Sequence, residues 1–345
     1  MKIDEILQKL DEPVGVSGNE EAVREVVKEL FAPYCGEIVE DTLGNVIGYC
    51  RCGIENAPTV MIEGHQDELG LMVSGISDEG SLLFCTVGGF DPKTLPGTEV
   101  TVHCESGNYF GVIGAKPPHL VKDSGKALSI ENMAVDIGFK KEQTEKLVRV
   151  GDIITLNTGY TKLNGSIAAG RCIDDRGGLA AVVKTLEIIQ SYKLSCDVIA
   201  VATVQEELGL RGARTAAAQL VPDAAIAIDV CHGTSPGVSD NAFPLGKGPV
   251  VSVGPNLHPK LTRQILDAAK DQGIGVQIDV DSGDTGTDAW EIQVAGTGVP
   301  TALLSIPLRY MHANYEVGDT KDIENTARLI AAWLLGFKGG DQLCY

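Results

Sequence analysis

Five short polar segments of the 345-residue sequence have the composition of a hydrolytic metal site: Gly64-His65-Gln66-Asp67-Glu68, Asp174-Asp175-Arg176, Gln205-Glu206-Glu207, Asp229, and Tyr310-Met311-His312. Each follows or ends an apolar run, the place where open α/β sheets present ligand-binding groups. Together they offer two imidazoles and several carboxylates, a donor set that suits zinc, cobalt or manganese alike. Taken singly, each has an ordinary structural reading. A lone His-x-Asp is commonly a satisfied polar pair. Asp-Asp-Arg ahead of a helix serves as an N-cap, because Asp there accepts from the unpaired first-turn N–H groups. Glu206-Glu207 reads as a solvated helix start, and His312 as a histidine at a core edge. Asp229 is harder to dismiss, since it closes the apolar run 224–228 and a carboxylate beside a buried strand needs a partner. The five segments carry joint weight only if the fold brings them together.

The elements that must do so can be read from periodicity. Ser17-Gly18-Asn19-Glu20 fits a capping box opening a helix through about Phe31, with Val23, Val26, Val27 and Leu30 along one face. A hairpin is expected over 39–49, turning at Gly44-Asn45, then a short apolar strand over 59–63 ending at Gly64-His65. Between 70 and 167 the texture changes to short β-rich runs separated by Gly, Pro and Asp turns, the pattern of a small barrel or sandwich. Beyond Gly170, helices over 177–192, 209–220, 260–272 and 320–335 are expected to alternate with strands over 197–204, 224–230, 275–280 and 301–306. Near-continuous Val, Ile and Ala strands joined by helices imply a parallel or mixed sheet covered on both faces. The expected fold is thus α/β: a mixed-sheet domain built from residues 1–69 and 168–345, with a small β-barrel or sandwich domain, 70–167, inserted between its halves.

Composition removes several function classes. The chain has 47 acidic against 28 basic residues, a formal charge of −19, and is 43% hydrophobic but only 5% aromatic. That supports a real core and excludes a disordered chain. With no Lys/Arg cluster, neither nucleic acid nor an anionic membrane surface is expected as a partner. Apolar stretches such as 198–204 fall far short of the roughly 20 residues a membrane span needs. The N-terminus lacks the continuous apolar core of a signal peptide, so a cytoplasmic location is expected. Nine scattered cysteines without a C-x-x-C pair read as free thiols in a reducing compartment, Cys50 and Cys52 lying on alternate faces of one strand.

At this point the residues carry a family resemblance. Gly64-His65-Gln66-Asp67-Glu68-Leu69-Gly70, Asp174-Asp175-Arg176, Glu206-Glu207-Leu208-Gly209-Leu210-Arg211-Gly212-Ala213, Ala227-Ile228-Asp229, Gly286-Thr287-Asp288-Ala289 and Arg309-Tyr310-Met311-His312 resemble the dinuclear metallo-aminopeptidases of the tetrahedral type. Gly15-Val16-Ser17-Gly18 and Lys116-Pro117-Pro118-His119 extend the likeness over nearly the whole chain. That family includes glutamyl and deblocking aminopeptidases and members labelled endoglucanase M. The resemblance implies that His65, Asp174 and Asp229 bind one divalent ion while Asp174, Glu207 and His312 bind the other, with Asp174 bridging. Glu206 would be the general base, and Asp67 would hydrogen-bond His65 from behind. It further implies two ions per chain (zinc first, cobalt or manganese as alternatives), peptide substrates cut at their N-terminal residue, and a homo-oligomer as large as a dodecamer. A carboxylate shared by two cations holds them about 3.5–4 Å apart, close enough to act on one water and one carbonyl. One departure stands out: many relatives have His-Ser-Pro before a Glu, whereas this chain reads His312-Ala313-Asn314-Tyr315-Glu316. Substrate preference therefore transfers less well than metal binding.

Rival readings exist. Gly233-Thr234-Ser235-Pro236-Gly237 matches the G-x-S-x-G of serine hydrolases, but no helix is expected directly after it, as a nucleophile elbow requires. A glycoside hydrolase would need paired carboxylates and an aromatic platform, and the chain has only two tryptophans, Trp290 and Trp333. A non-catalytic scaffold would not need Glu206. His103, His119, His232 and His258 have no spacing that favours any of them as a ligand.

Overall fold

A computed structural model describes residues 1–116 and 129–343; Pro117, Pro118, His119 and Cys344 lie outside the described residues. The apolar runs form the centre of an 11-stranded mixed sheet. Its main path runs Glu37–Glu40, Val46–Cys50, Asp197–Thr203, Thr59–His65, Ala224–His232, Thr301–Arg309, Glu316–Asp319, Ile167–Gly170, Thr161–Lys162. Val250–Val253 and Gln277–Val280 branch from Thr301–Arg309. The four middle strands from Asp197–Thr203 to Thr301–Arg309 are mutually parallel, and antiparallel pairs flank them. Parallel strands have both faces covered, which explains their unbroken Val/Ile/Ala character. Helices Ile3–Asp11, Glu21–Phe31, Ile173–Ile189, Pro259–Gln272 and Thr320–Gly336 pack one face, while Arg211–Leu220 and Ala289–Ile292 cover the other.

A closed six-stranded antiparallel barrel interrupts this sheet: Gly70–Ile76, Leu82–Val87, Met133–Asp136, Gly107–Ala115, Glu99–Cys104, Ile153–Leu156. Inward-facing Leu71, Val73, Leu82, Phe84, Val100, Val102, Ile113, Val135 and Ile154 fill it, and closure leaves no open edge. The strand Met133–Asp136 and the helix Lys141–Leu147 were not among the expected elements. The strand is only four residues long, and the helix KEQTEKL buries only Thr144, so neither shows an apolar period. The barrel ends at Leu156; Thr161–Lys162 and Ile167–Gly170 already pair with the large sheet.

Three local expectations change. The helix Glu21–Phe31 has Glu20 at its N-cap with no side-chain cap bond, because a turn at Gly18-Asn19 delays its start. Ser17 is thereby freed from capping and its hydroxyl donates to Asp67 instead. The helix expected from 177 begins at Ile173, with Asp174 and Asp175 in non-helical conformation inside its first turn and a cis peptide between them. Cys50 ends its strand and Cys52 lies beyond it, so the two do not alternate on one strand; the Cys50 thiol sits 3.2 Å from that of Cys35. No helix of the described residues is long and apolar enough to cross a membrane.

Candidate metal centre

The parallel strands deliver their C-terminal ends to one edge of the sheet, and the polar segments follow. His65 is the last residue of its strand. Glu206 and Glu207 follow Asp197–Thr203, Asp229 stands within Ala224–His232, and His312 lies in the turn after Thr301–Arg309. Gln205, Tyr310 and His312 have positive φ, 55°, 62° and 61°. Such backbones cost about 1–3 kcal/mol each in residues other than glycine and persist where neighbours over-determine them. At His312 those neighbours are visible. The Glu316 carboxylate accepts from the N–H of His312 with one oxygen and from the N–H of Asp174 with the other, both at 3.0 Å. Asn314, which stands in the position of the missing proline, donates from Nδ2 to Thr94 O (2.8 Å) and to Thr98 Oγ1 (2.5 Å) on a barrel loop.

Asp174 is the meeting point. Its Oδ1 lies 3.1 Å from His65 Nε2 and its Oδ2 3.2 Å from His312 Nε2. Glu207 Oε1 is 3.6 Å from His312 Nε2, and Glu206 Oε2 is 3.9 Å from His65 Nε2. Ligand atoms of Asp174, Glu207 and His312 all fall within 4.8 Å of one another, as do those of His65, Asp175 and Asp229, and those of His65, Glu206 and Glu207. Asp175 thus joins His65 and Asp229 in a group where Asp174 was expected. It also caps the helix, accepting from Gly178 N at 2.9 Å. Behind His65, Nδ1 faces the Asp67 carbonyl oxygen (3.1 Å) and Asp67 Oδ1 (3.5 Å). The Asp67 carboxylate accepts from the N–H groups of Glu206 (3.0 Å) and Glu207 (3.2 Å), tying both glutamates to the His65 segment.

Carboxylates outnumber cations here. Burial, reinforced by Asp229, Asp288 and Glu207, pushes Glu206 up to about 11 even with His65 nearby. Burial and Asp174 raise Glu207 to about 8, and burial drives Asp229 well above the carboxylate range. Asp174 is the exception: burial opposes its charge, but His312 and His65 hold it below the usual value. The bond to Asp174 lifts His312 to about 9. Desolvation against surplus negative charge is the condition that a bound cation relieves.

The sequence reading missed Glu63, quoted Asp288 only within a resembling segment without giving it a role, and read Ser17 as a helix cap. Glu63 and Asp288 are buried directly behind the centre, and Thr203 donates to Asp288 Oδ2 at 2.7 Å. Glu63 Oε1 and Asp288 Oδ1 find no protein partner among the described residues. A glutamate inside the apolar strand Thr59–His65 was the available signal. Ser235 of G-x-S-x-G sits in a tight turn closed on Val238, with no helix after it. His103, His232 and His258 join none of the three clusters. A cleft of about 700 Å³ opens over Asp174, Glu206, Glu207, Asp229 and His312; Asp279, Asp281 and Asp284 also line it, and no Lys or Arg of the described residues does.

The fold is an α/β sheet with an inserted barrel, and it gathers imidazoles and carboxylates at one edge of that sheet. The family model described as M42 glutamyl aminopeptidase matches residues 44–329, and the chain belongs to this family of peptide hydrolases. It is 38% identical over 344 residues to a lysyl aminopeptidase of Pyrococcus furiosus, with 98% of each chain covered. A solved TET aminopeptidase from a marine-sediment thaumarchaeon superposes with a TM-score of 0.91 at 33% identity, covering 96% of each chain. The TET1 peptidase of Pyrococcus horikoshii, which can assemble into a tetrahedron or a large octahedral shell, gives 0.86 at 34% identity, covering 97% of this chain and 100% of that one.

Proposed function

We propose that the protein is a dinuclear metallo-aminopeptidase that removes N-terminal residues from peptides. His65, Asp174 and Asp229 would hold one divalent cation and Asp174, Glu207 and His312 the other, Asp174 being shared. The observation that carries this reading is the two-sided Asp174, whose oxygens face His65 at 3.1 Å and His312 at 3.2 Å. The donors fit: buried imidazole nitrogens and carboxylate oxygens without a thiolate accept zinc, and cobalt or manganese equally. Bound there, such cations supply Lewis acidity to the scissile carbonyl and lower the pKa of water.

The chain's own groups do the rest. Glu206, buried at the cleft floor, takes the proton of the attacking water on a carboxylate oxygen and returns it to the nitrogen of the leaving amine. Asp67 engages Nδ1 of His65 so that Nε2 faces the centre. The acidic cleft attracts the positively charged N-terminus of a peptide. In this reading residues 1–69 and 168–345 form the catalytic unit, and the module 70–167 serves oligomerisation and substrate access. The protein works in the cytoplasm as a large homo-oligomer, a dodecamer by likeness to the TET enzymes.

The test is chelation followed by re-metallation, read with a panel of amino-acid anilides beside cellodextrins. Anilide hydrolysis should disappear with the metal and return with zinc, cobalt or manganese at two ions per chain, cellodextrins remaining intact. Fewer than two ions at saturation, or activity that survives chelation and dies with a serine-directed reagent, would overturn the reading.

A further inference from the structure

Ser17 belongs to no helix or strand, yet it is 4% exposed and held from several sides. Val16 forms a parallel bridge with Glu68; Ser17 N donates to Glu68 O (3.1 Å), and Glu68 N donates to Gly15 O (2.9 Å). The approach of these two segments is close. A Cβ on Gly15 would lie 2.3 Å from Arg176 Nη2, and one on Gly70 would lie 2.5 Å from a Val16 methyl, so a side chain at either place would have to displace its neighbour. The consequence is a hydroxyl fixed against the carboxylate of Asp67, with Ser17 Oγ donating to Oδ2 at 2.5 Å.

That carboxylate has three donors, and each comes from a different residue. Oδ1 accepts from Glu206 N, and Oδ2 from both Glu207 N and Ser17 Oγ. Only Ser17 is independent of the glutamate pair. Without its hydroxyl the carboxylate keeps hydrogen-bond donors only from the glutamate backbone that it is meant to locate, and its 3.5 Å contact with His65 Nδ1 loses its one outside anchor. We propose that Ser17 is a positioning residue of the catalytic centre: it pins Asp67, and through Asp67 sets the His65 ring and the Glu206-Glu207 peptide together. This rests on the dinuclear aminopeptidase reading above.

The serine has no competing structural task. The following helix takes no cap from it, and its backbone bonds do not need the hydroxyl. Removing the hydroxyl therefore disturbs the centre selectively. Partners that orient metal ligands from behind are worth about 10–100-fold in metal affinity or activity.

The experiment compares wild type, Ser17→Ala and Ser17→Thr as full-length protein. Zinc affinity is measured by calorimetric titration of the chelated protein, kcat and KM by anilide hydrolysis, and Tm in the metal-free state. Ser17→Ala should bind zinc about tenfold more weakly. Its kcat should fall by a similar factor with KM little changed, and Ser17→Thr should restore both. A Ser17→Ala protein that binds zinc and turns over like wild type, or whose only change is a lower metal-free Tm, overturns the proposal. Loss of both properties in Ser17→Thr as well would assign the effect to packing and overturn it too. If wild type itself binds no zinc, the dinuclear reading has failed, and that outcome is separate from a wild type that binds zinc beside an unaffected Ser17→Ala.

Discussion

Glu68 lies between two guanidinium groups, 2.6 Å from Arg171 Nε and 3.1 Å from Arg176 Nη2, and also accepts from Gly15 N at 2.9 Å. Arg176 is among the largest fully buried side chains of the protein. Removing one partner of such a network strands the others, so Glu68→Gln is expected to lower stability by about 3–5 kcal/mol in denaturant titration at neutral pH. The pH dependence has a definite sign. Burial opposes the charge on Glu68, but Arg176 and Arg171 hold its carboxyl below the ordinary value. A depressed carboxyl stabilises the fold above its unfolded pKa, near ~4.3, and loses that contribution as the pH falls through the folded value. The gap between wild type and Glu68→Gln should therefore narrow below pH ~4; a gap that widened there would contradict the assignment. At the centre itself, Glu206→Gln keeps the shape and loses the base. Its kcat should drop by about 10²–10⁴ with metal content unchanged, as measured by anilide turnover and elemental analysis. The candidate ligands that the sequence singled out at the ends of apolar runs, His65, Asp174, Glu207, Asp229 and His312, are the ones the fold brings together. The roles of Ser17 and Glu68 were not legible, because their meaning lies in partners 50 and more than 100 residues away.

Among the elements, the turn carrying His312 has the least regular support, and the barrel supplies part of it. Asn314 spans from that turn to Thr94 and Thr98, replacing the stiffness of a proline with two hydrogen bonds. At about 1 kcal/mol per bond, Asn314→Ala should lower kcat/KM by roughly five- to thirtyfold while leaving the fold intact by circular dichroism. An unchanged kcat/KM would mean that Glu316 alone holds the turn. The strand Gln277–Val280 and the segment after it bring three carboxylates to the cleft. Asp279, Asp281 and Asp284 face the cleft without a basic counterpart among its lining residues. Lysyl and arginyl anilides should be cleaved with kcat/KM about tenfold above the glutamyl compound, a preference that shrinks as salt rises. Equal rates across the panel, or a glutamyl preference, would refute it. Element reading from sequence succeeded where burial is uniform, as in Asp197–Thr203 and Ala224–His232. It failed in the barrel at Met133–Asp136 and Lys141–Leu147, where closure of the sheet, rather than local pattern, decides the conformation.

For the whole molecule, the surplus of acid is concentrated where it is least comfortable. Five carboxylates of the centre and cleft floor, Asp174, Asp175, Glu206, Glu207 and Asp229, share two imidazoles. Cations bound there act on the folded state only, so each site filled at 100 times its Kd adds about 2.7 kcal/mol. Chelation should lower Tm and zinc should restore it; a Tm indifferent to both would leave the acidic cluster without its proposed occupant.

The barrel also divides the centre in sequence. His65 and Asp67 precede it, while Asp174, Glu206, Glu207, Asp229 and His312 follow it. Domains fold as units while the chain is still emerging from the ribosome. The barrel is complete in sequence at Leu156 and can close once that strand has left the tunnel, whereas the large sheet still lacks its inner strand Thr301–Arg309. Because His312 comes from the turn after Thr301–Arg309, the proposed centre cannot assemble until that turn has been made and has left the ribosomal tunnel.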